Sequence, residues 1–464
     1  MAESRWTRRT WQRLLLAGGV AAGLGISTGH PYYSASAYAP HGRLIRIEPL
    51  PSEAPGQVCL VPAAVQQASR GLAAQAGRSP APDDGETLVL AGDPIRNVRD
   101  KYPAFAAIAV DPKRGEVIVT DENLFQILAY DRLENTPAAD EASKPKRVLA
   151  GDNTLIEFQS GLYVDQGNGD IYAPNNDTVD TLVVFPHAAD GDAKPGRALH
   201  TPHGTFGIAV DEKRNEMFLT TQHDATVVVF RKNADKDDQP IRLLQGDDTG
   251  LADPHGIAID PQEEVFFVAN YGSRALRRPD LEPQTVRAAG GDNRDKKNWP
   301  IGREYAAPGS GSHSEPSITV HRLSASGNER PRRKIQGPKT QLNWPTGVAF
   351  DPDRRELFVA NDMGPSVLVF DADASGDVAP KRVLKGPKTK LANPTDVALD
   401  LKHRELWVAN FGGHSATAYR LTAEGDTPPL RVIRSGPESA PSLMIGNPGA
   451  LTYDSKREEI LVPN

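Results

Sequence analysis

Three observations predict an all-β fold made of repeated four-stranded sheets. A phrase of small, apolar, small, apolar and Asp residues recurs seven times, ending at Asp111, Asp165, Asp211, Asp260, Asp351, Asp400 and Asp454. The spacings are 54, 46, 49, 91, 49 and 54, so one interval carries an insertion. Pro and Gly supply 80 of the 464 residues, which suits short strands joined by many turns.

Each repeat justifies four strands in order. The phrase itself is the first. A tight turn follows (DPKRGE, DEKRNE, DPDRRE, DLKHRE) and then a second apolar strand such as LFVAN or LWVAN. The third strand reads QILAYD, TVVVF or SVLVFD, and the fourth RVLAG, RLLQG or RVLKG after a Gly/Asp/Pro turn. β-branched residues bounded by turn formers support strands rather than helices. Four short strands per repeat of roughly 45 residues is the pattern of a β-propeller blade. The chain is therefore expected to be a single seven-bladed β-propeller of four-stranded antiparallel blades. Residues 101–464 supply the repeats. The last repeat stops at EEILVPN with two strands, so N-terminal strands at about 43–50 (RLIRIEPL) and 87–93 (TLVLAGD) are expected to complete it and close the ring, removing exposed sheet edges.

The first 37 residues carry Arg5, Arg8, Arg9 and Arg13, an apolar run from Leu14 to Ile26, and small residues ending Ala35-Ser36-Ala37. That order predicts an export signal peptide, hence a periplasmic or secreted protein with no membrane span once the signal is removed. The Arg8-Arg9 pair resembles the bacterial twin-arginine signal, with an ordinary Sec signal as the alternative. Residues 38–100 then form a segment with the closing strands and a linker. Cys59 is the sole cysteine, so the monomer has no internal disulfide despite its oxidising destination. A formal charge of −7 without a basic cluster argues against nucleic-acid binding.

These phrases resemble the NHL and YVTN-type β-propeller repeats, P-x-G-V-A-x-D and F-V-A-N being the shared words, over roughly residues 87–464. The resemblance implies the fold strongly. Members of that broad group bind peptides, proteins or RNA, or act as lyases and lactonases, so function must be argued from the site.

Comparison of the repeats with one another separates scaffold from candidate site. The seven Asp residues are expected to cap the first hairpin turns. Asp121, Asn175, Gln222, Asn270, Asn361, Asn410 and Asn464 follow each second strand. They are read either as strand-end caps or as a ring of polar groups near the channel, able to hold a polar ligand or a cation. Strand alternation puts the 4-to-1 and 2-to-3 loops on one face. There, the position before the first-strand phrase carries Ala106, Ser160, Phe206, His255, Thr346, Thr395 and Gly449, with one histidine among them. His203, His223 and His255 thus fall on adjacent blades, as scattered histidines or as a site for a divalent cation, the one cofactor suggested, with Asp121 and Asn175 as further ligands. His223 and His255 are the weak candidates for a general base.

The insertion, about 271–316 in blade four, is too long for an ordinary hairpin loop. It carries Arg277, Trp299 and Tyr305 among eight bases and six acids, and is read as a lid or a partner-binding arm. No serine-hydrolase, phosphate-loop, haem or dinucleotide motif occurs. The expected function is a binding or scaffold module, expected to be monomeric, for a protein, peptide or glycan, using His203, His255, Arg277, Trp299, Tyr305, Asn270, Asn361 and Asn410. The alternative is a metal-assisted lyase or lactonase with its site at the channel mouth.

Overall fold

The computed structural model describes residues 101–137, 142–176, 180–222, 224–274, 312–438, 440, 442, 452–454 and 459–461. Two compact units divide the chain, Asp100–Met444 and a second one comprising Met1–Arg99 with Ile445–Asn464. The first holds six four-stranded antiparallel sheets, each with its strands in sequential order. The inner strands of blades one to six are Phe105–Asp111, Tyr163–Val164, Thr205–Asp211, Pro254–Asp260, Pro345–Asp351 and Pro394–Asp400. Each packs beside the next, and that of blade six packs beside that of blade one, so the sheets form a closed ring. The core lies between blades. One cluster joins Phe105, Ile108, Val119 and Tyr130 of blade one to Trp407, Ala409 and Ile433 of blade six.

The expected seventh blade is corrected by this arrangement: among the described residues there are six. The seventh phrase does form a hairpin, Thr452–Asp454 with Glu459–Leu461, but as a two-stranded sheet in the second unit. The proposed closing strands at 43–50 and 87–93 lie outside the described residues. Among the described residues, closure uses a device repeated at every blade boundary, in which the outer strand of one blade is latched by the strand 3-to-4 connector of the next. Gly191 donates to Val148 O and accepts from Ala150 N; Gly327, Gly376 and Gly425 do the same at later boundaries, and Lys236 at the second. At the last boundary the connector of blade one serves blade six, with Thr136 N donating to Val432 O and Ser143 N to Arg434 O. The blade-six edge is thereby covered.

Inner strands approach closely because glycine permits it. A Cβ on Gly207 would lie 2.3 Å from His255 O, and one on Gly256 2.4 Å from Thr346 O. Blade six has Asp396 at this position, and its Oδ2 accepts from Ile108 N of blade one at 2.9 Å, tying the ring shut. Hydroxyls stitch other boundaries: Ser160 donates to Thr205 O and Phe206 O, Thr346 to Pro394 O, and Thr395 to Ala106 O.

The first-turn Asp residues are turn caps. Asp111 Oδ1 accepts from Lys113 N and Arg114 N, and Asp165, Asp260, Asp351 and Asp400 accept from their own turns in the same way. A second repeated device was not anticipated from the sequence. The Arg opening a fourth strand forks onto the Glu opening the second, as Arg147–Glu116, Arg242–Glu216 and Arg382–Glu356. Burial pushes the Glu116 carboxyl up, but bonds from Arg147 and Lys146 outweigh it and hold the group at about 2.

Candidate functional site

The second strands run into the loops of one face, and their registers separate two columns of side chains. Asp121, Asn175, Asn270, Asn361 and Asn410 are buried and bonded within their own blades. Ala252 N donates to Asn270 Oδ1, whose Nδ2 donates to Val268 O and Thr319 Oγ1. Asn361 receives Asn343 N and donates to Gln341 O and Ser366 Oγ; Asn410 receives Ala392 N and donates to Thr417 Oγ1. Asn175 and Asp121 hold their loops likewise through Glu157 N and Ala104 N. Asn270, Asn361 and Asn410 are therefore scaffold pins, their amides occupied by backbone. Gln222 belongs elsewhere: Thr221 takes the column position in blade three, pairing with Thr205 as Asn270 pairs with Pro254.

Gln222 stands in the next column, with Glu122, Asn176, Tyr271, Asp362 and Phe411. The backbone N–H of each donates to a loop carbonyl that precedes its own first strand, to Ala104, Phe158, Gly204, Asp253, Trp344 and Asn393 in blade order. This sixfold bond fixes six varied side chains around the mouth of the ring.

A directed chain of bonds links three of these blades. Asn176 Nδ2 donates to Gln222 Oε1 at 2.8 Å, Gln222 Nε2 donates to His255 Nε2 at 2.7 Å, and His255 Nδ1–H donates to Asp253 O at 2.9 Å. The arrangement selects the neutral Nδ1–H tautomer of His255. That ring stacks on Tyr271 with centroids 3.5 Å apart and touches Phe206 at 4.2 Å, while Tyr271 meets Trp344 at 4.9 Å. Phe206, His255, Tyr271 and Trp344 thus form an aromatic run across blades three to five. Trp344 ends it 46% exposed, with φ 55°. Asp253 and Asn393 hold the same left-handed backbone at this place in blades four and six, with φ 53° and 45°, so the conformation belongs to the blade and only the exposed indole is peculiar to Trp344.

Several acids of the ring are shifted by burial. Burial, then the Asp121 charge, pushes the Glu122 carboxyl up to about 8. Burial likewise raises Asp121 to about 6, Asp396 to about 7, and Asp362 despite the bond from Asn393. Tyr271 is driven well above its ordinary value by burial, with Asp362, Asp253 and Glu122 adding.

His203 and His255 are held by separate partners. His203 Nδ1 is 3.0 Å from Asp180 Oδ1, whereas His255 is spent in the relay; His223 lies outside the described residues. Among the described residues no group of three His, Cys, Asp or Glu side chains is arranged to hold a metal ion, and of the candidates Asp121, Asn175, His203, His223 and His255, Asp121 and Asn175 hold their own loops. The insertion leaves the mouth face between the second and third strands of blade four, rooted by the short hairpin Ser273–Arg274 with Ser312–His313, and Ser273 Oγ donates to Asp253 Oδ2. Arg277, Trp299 and Tyr305 lie outside the described residues. No helix among the described residues is long and apolar enough to cross a membrane.

Six four-stranded sheets around one axis, with varied loops on one face, define a β-propeller repeat protein. No protein-family model matches the chain, and no curated protein does. Among solved structures it is similar to Kuenenia stuttgartiensis hydrazine synthase at 14% identity and a TM-score of 0.45, over 71% of this chain and 99% of that one. It is also similar to the crystal structure of a nidogen/laminin complex at 15% identity and a TM-score of 0.43, over 72% and 92%. Similarity of this degree speaks neither to ligand nor to chemistry.

Proposed function

We propose that this chain is an exported, NHL/YVTN-type propeller acting as a binding module, whose protein, peptide or glycan ligand docks on the mouth face. The observation that carries the reading is the aromatic run Phe206, His255, Tyr271 and Trp344, terminating in an exposed tryptophan. Aromatic side chains offer large contact area at low entropic cost, and Trp and Tyr dominate binding energy where they occur centrally. Leu124, Phe125, Leu155 and Met363 are further exposed apolar groups on loops of this face. The arm is rooted beside Tyr271, and Arg277, Trp299 and Tyr305 are proposed to add contacts to the ligand. His203, held by Asp180, and His255, held by Gln222, are proposed to frame the site.

The test is capture from a periplasmic extract with the full chain, alongside a panel of immobilised glycans. Trp344→Ala is expected to abolish capture at unchanged unfolding temperature, and Trp299→Ala with Arg277→Ala to weaken it. Undiminished capture by all of these variants removes the reading.

A catalytic reading has one observation in its favour, a Glu122 carboxyl held protonated near neutral pH, the state a general acid requires. It predicts a lyase or lactonase activity lost in Glu122→Gln. A full-length chain that turns over no lactone or uronate substrate, with or without added divalent cation, ends it.

A further inference from the structure

On the face opposite the mouth, the six first-turn Asp residues give an internal standard, and one blade departs from it. Asp111 bonds Arg114 at 2.7 Å, Asp211 bonds Arg214 at 2.8 Å and Asp400 bonds His403 at 2.7 Å, each from its own turn. Asp165 takes Lys232 at 2.6 Å, and Asp260 takes Arg355 of the following blade at 2.7 Å. Asp351 is also fully buried, but among the described residues no cation bonds it, and its Oδ2 has no hydrogen-bond partner. Leaving a buried carboxylate oxygen bare is costly, on the order of 1–3 kcal/mol or more.

Two arginines stand where the other blades supply the missing partner. Arg354 occupies the position of Arg114 and Arg214. Arg404, in blade six, occupies the position from which Arg355 serves Asp260. Both instead line a cleft of about 320 Å³ between blades five and six, with Arg420, His403 and Glu405. Arg404 makes only a 3.6 Å rim contact with Asp353. Glu405 does not neutralise the cleft, because its carboxylate is already engaged by Arg132 at 2.8 Å and Arg431 at 2.5 Å. Leu421, Leu430 and Thr422 supply a small, partly apolar wall.

We propose that this cleft is a binding site for a small organic oxyanion, a phosphate monoester or polycarboxylate, gripped by Arg354, Arg404 and Arg420. Guanidinium forks match planar and tetrahedral oxyanions bidentately, and the volume suits a metabolite-sized ligand rather than a chain. The bare Asp351 oxygen is the structural counterpart of this commitment, since the arginines that would have closed it are directed to the cleft. The site is independent of the mouth, so it stands or falls apart from the proposed ligand there.

The full chain is titrated with inorganic phosphate and with citrate, following heat of binding and unfolding temperature, against sodium chloride at matched ionic strength. A saturable heat and stabilisation are expected with at least one of the two anions and not with chloride. Each charge-assisted bond removed should weaken binding roughly tenfold, so Arg354→Ala with Arg420→Ala should lose on the order of a hundredfold. Both residues are exposed, and circular dichroism with the unchanged unfolding temperature in plain buffer verifies the fold. Absence of saturable binding by both anions overturns the proposal. So does binding that the double variant retains, or a response that chloride reproduces.

Discussion

Two columns of residues, adjacent in sequence at the end of each second strand, have opposite roles. Asp121, Asn175, Asn270, Asn361 and Asn410 are short, buried and bonded into the scaffold, with buried Thr221 taking the place in blade three. Glu122, Asn176, Gln222, Tyr271, Asp362 and Phe411, one step on, share a backbone bond yet differ in every side chain. What every blade needs is repeated. What the mouth needs is distributed, one group per blade. A slip of one residue exchanges structural and functional assignments because successive side chains leave a strand on opposite faces.

The comparison breaks most severely at the buried column. Asn361→Leu should destabilise by about 3 kcal/mol, because Asn343 N, Gln341 O and Ser366 Oγ lose their partner together, whereas Asp362→Asn should cost little. Urea unfolding midpoints of the two variants check this, and equal losses would erase the distinction.

Next comes the pH dependence of the varied column. Glu122 ionises near its ordinary value in the unfolded chain and at about 8 in the fold, so the fold favours the protonated form. Its contribution is full below the unfolded value and is lost as pH rises towards 8. Glu122→Gln should therefore raise stability relative to the parent by about 2 kcal/mol at about pH 9, discounted for water in the mouth, and by little at about pH 4. Parallel pH profiles of parent and variant would refute the assignment. His321 gives the opposite sign from the interior. Burial alone holds this ring, stacked on Phe266, at about 4, so stability falls as pH drops from the ordinary histidine value to 4, and His321→Phe should remove that slope. Acid unfolding curves report it.

Smaller still, Gln222→Ala should cost about 1 kcal/mol by cutting the chain from Asn176 to His255, and release the His255 tautomer, visible in imidazole nitrogen shifts. Smallest is Trp344→Ala, expected within about 0.5 kcal/mol in stability because the indole is half exposed, while ligand capture disappears.

Much of this was legible in the sequence, for reasons visible in particular residues. The Asp turn caps and strand order follow from a motif written six times in the described ring, and the emergence of the insertion beside Tyr271 follows from strand alternation. Gln222 was placed one position early, because QH after a run of threonines gives no local mark of where the strand ends; only the pairing of Thr221 with Thr205 does. Trp344 drew no notice, since a Trp before Pro reads as an ordinary loop residue until its exposure and left-handed backbone are known. The bare Asp351 oxygen was equally invisible, since DPDRRE differs little from its sister turns.

The sequence alone determined the unit of construction, a four-stranded antiparallel blade with a capped first turn, because hydrophobic alternation and turn chemistry are local. The tertiary structure alone decided how many blades close the ring. That number depends on how tightly glycine-lined inner strands approach and on whether Asn135, Thr136 and Ser143 reach the edge of blade six, and a seventh copy of the motif carries no information about either. Which side chains meet was decided there too, since His255, Gln222 and Tyr271 are joined by blade curvature rather than by any spacing along the chain.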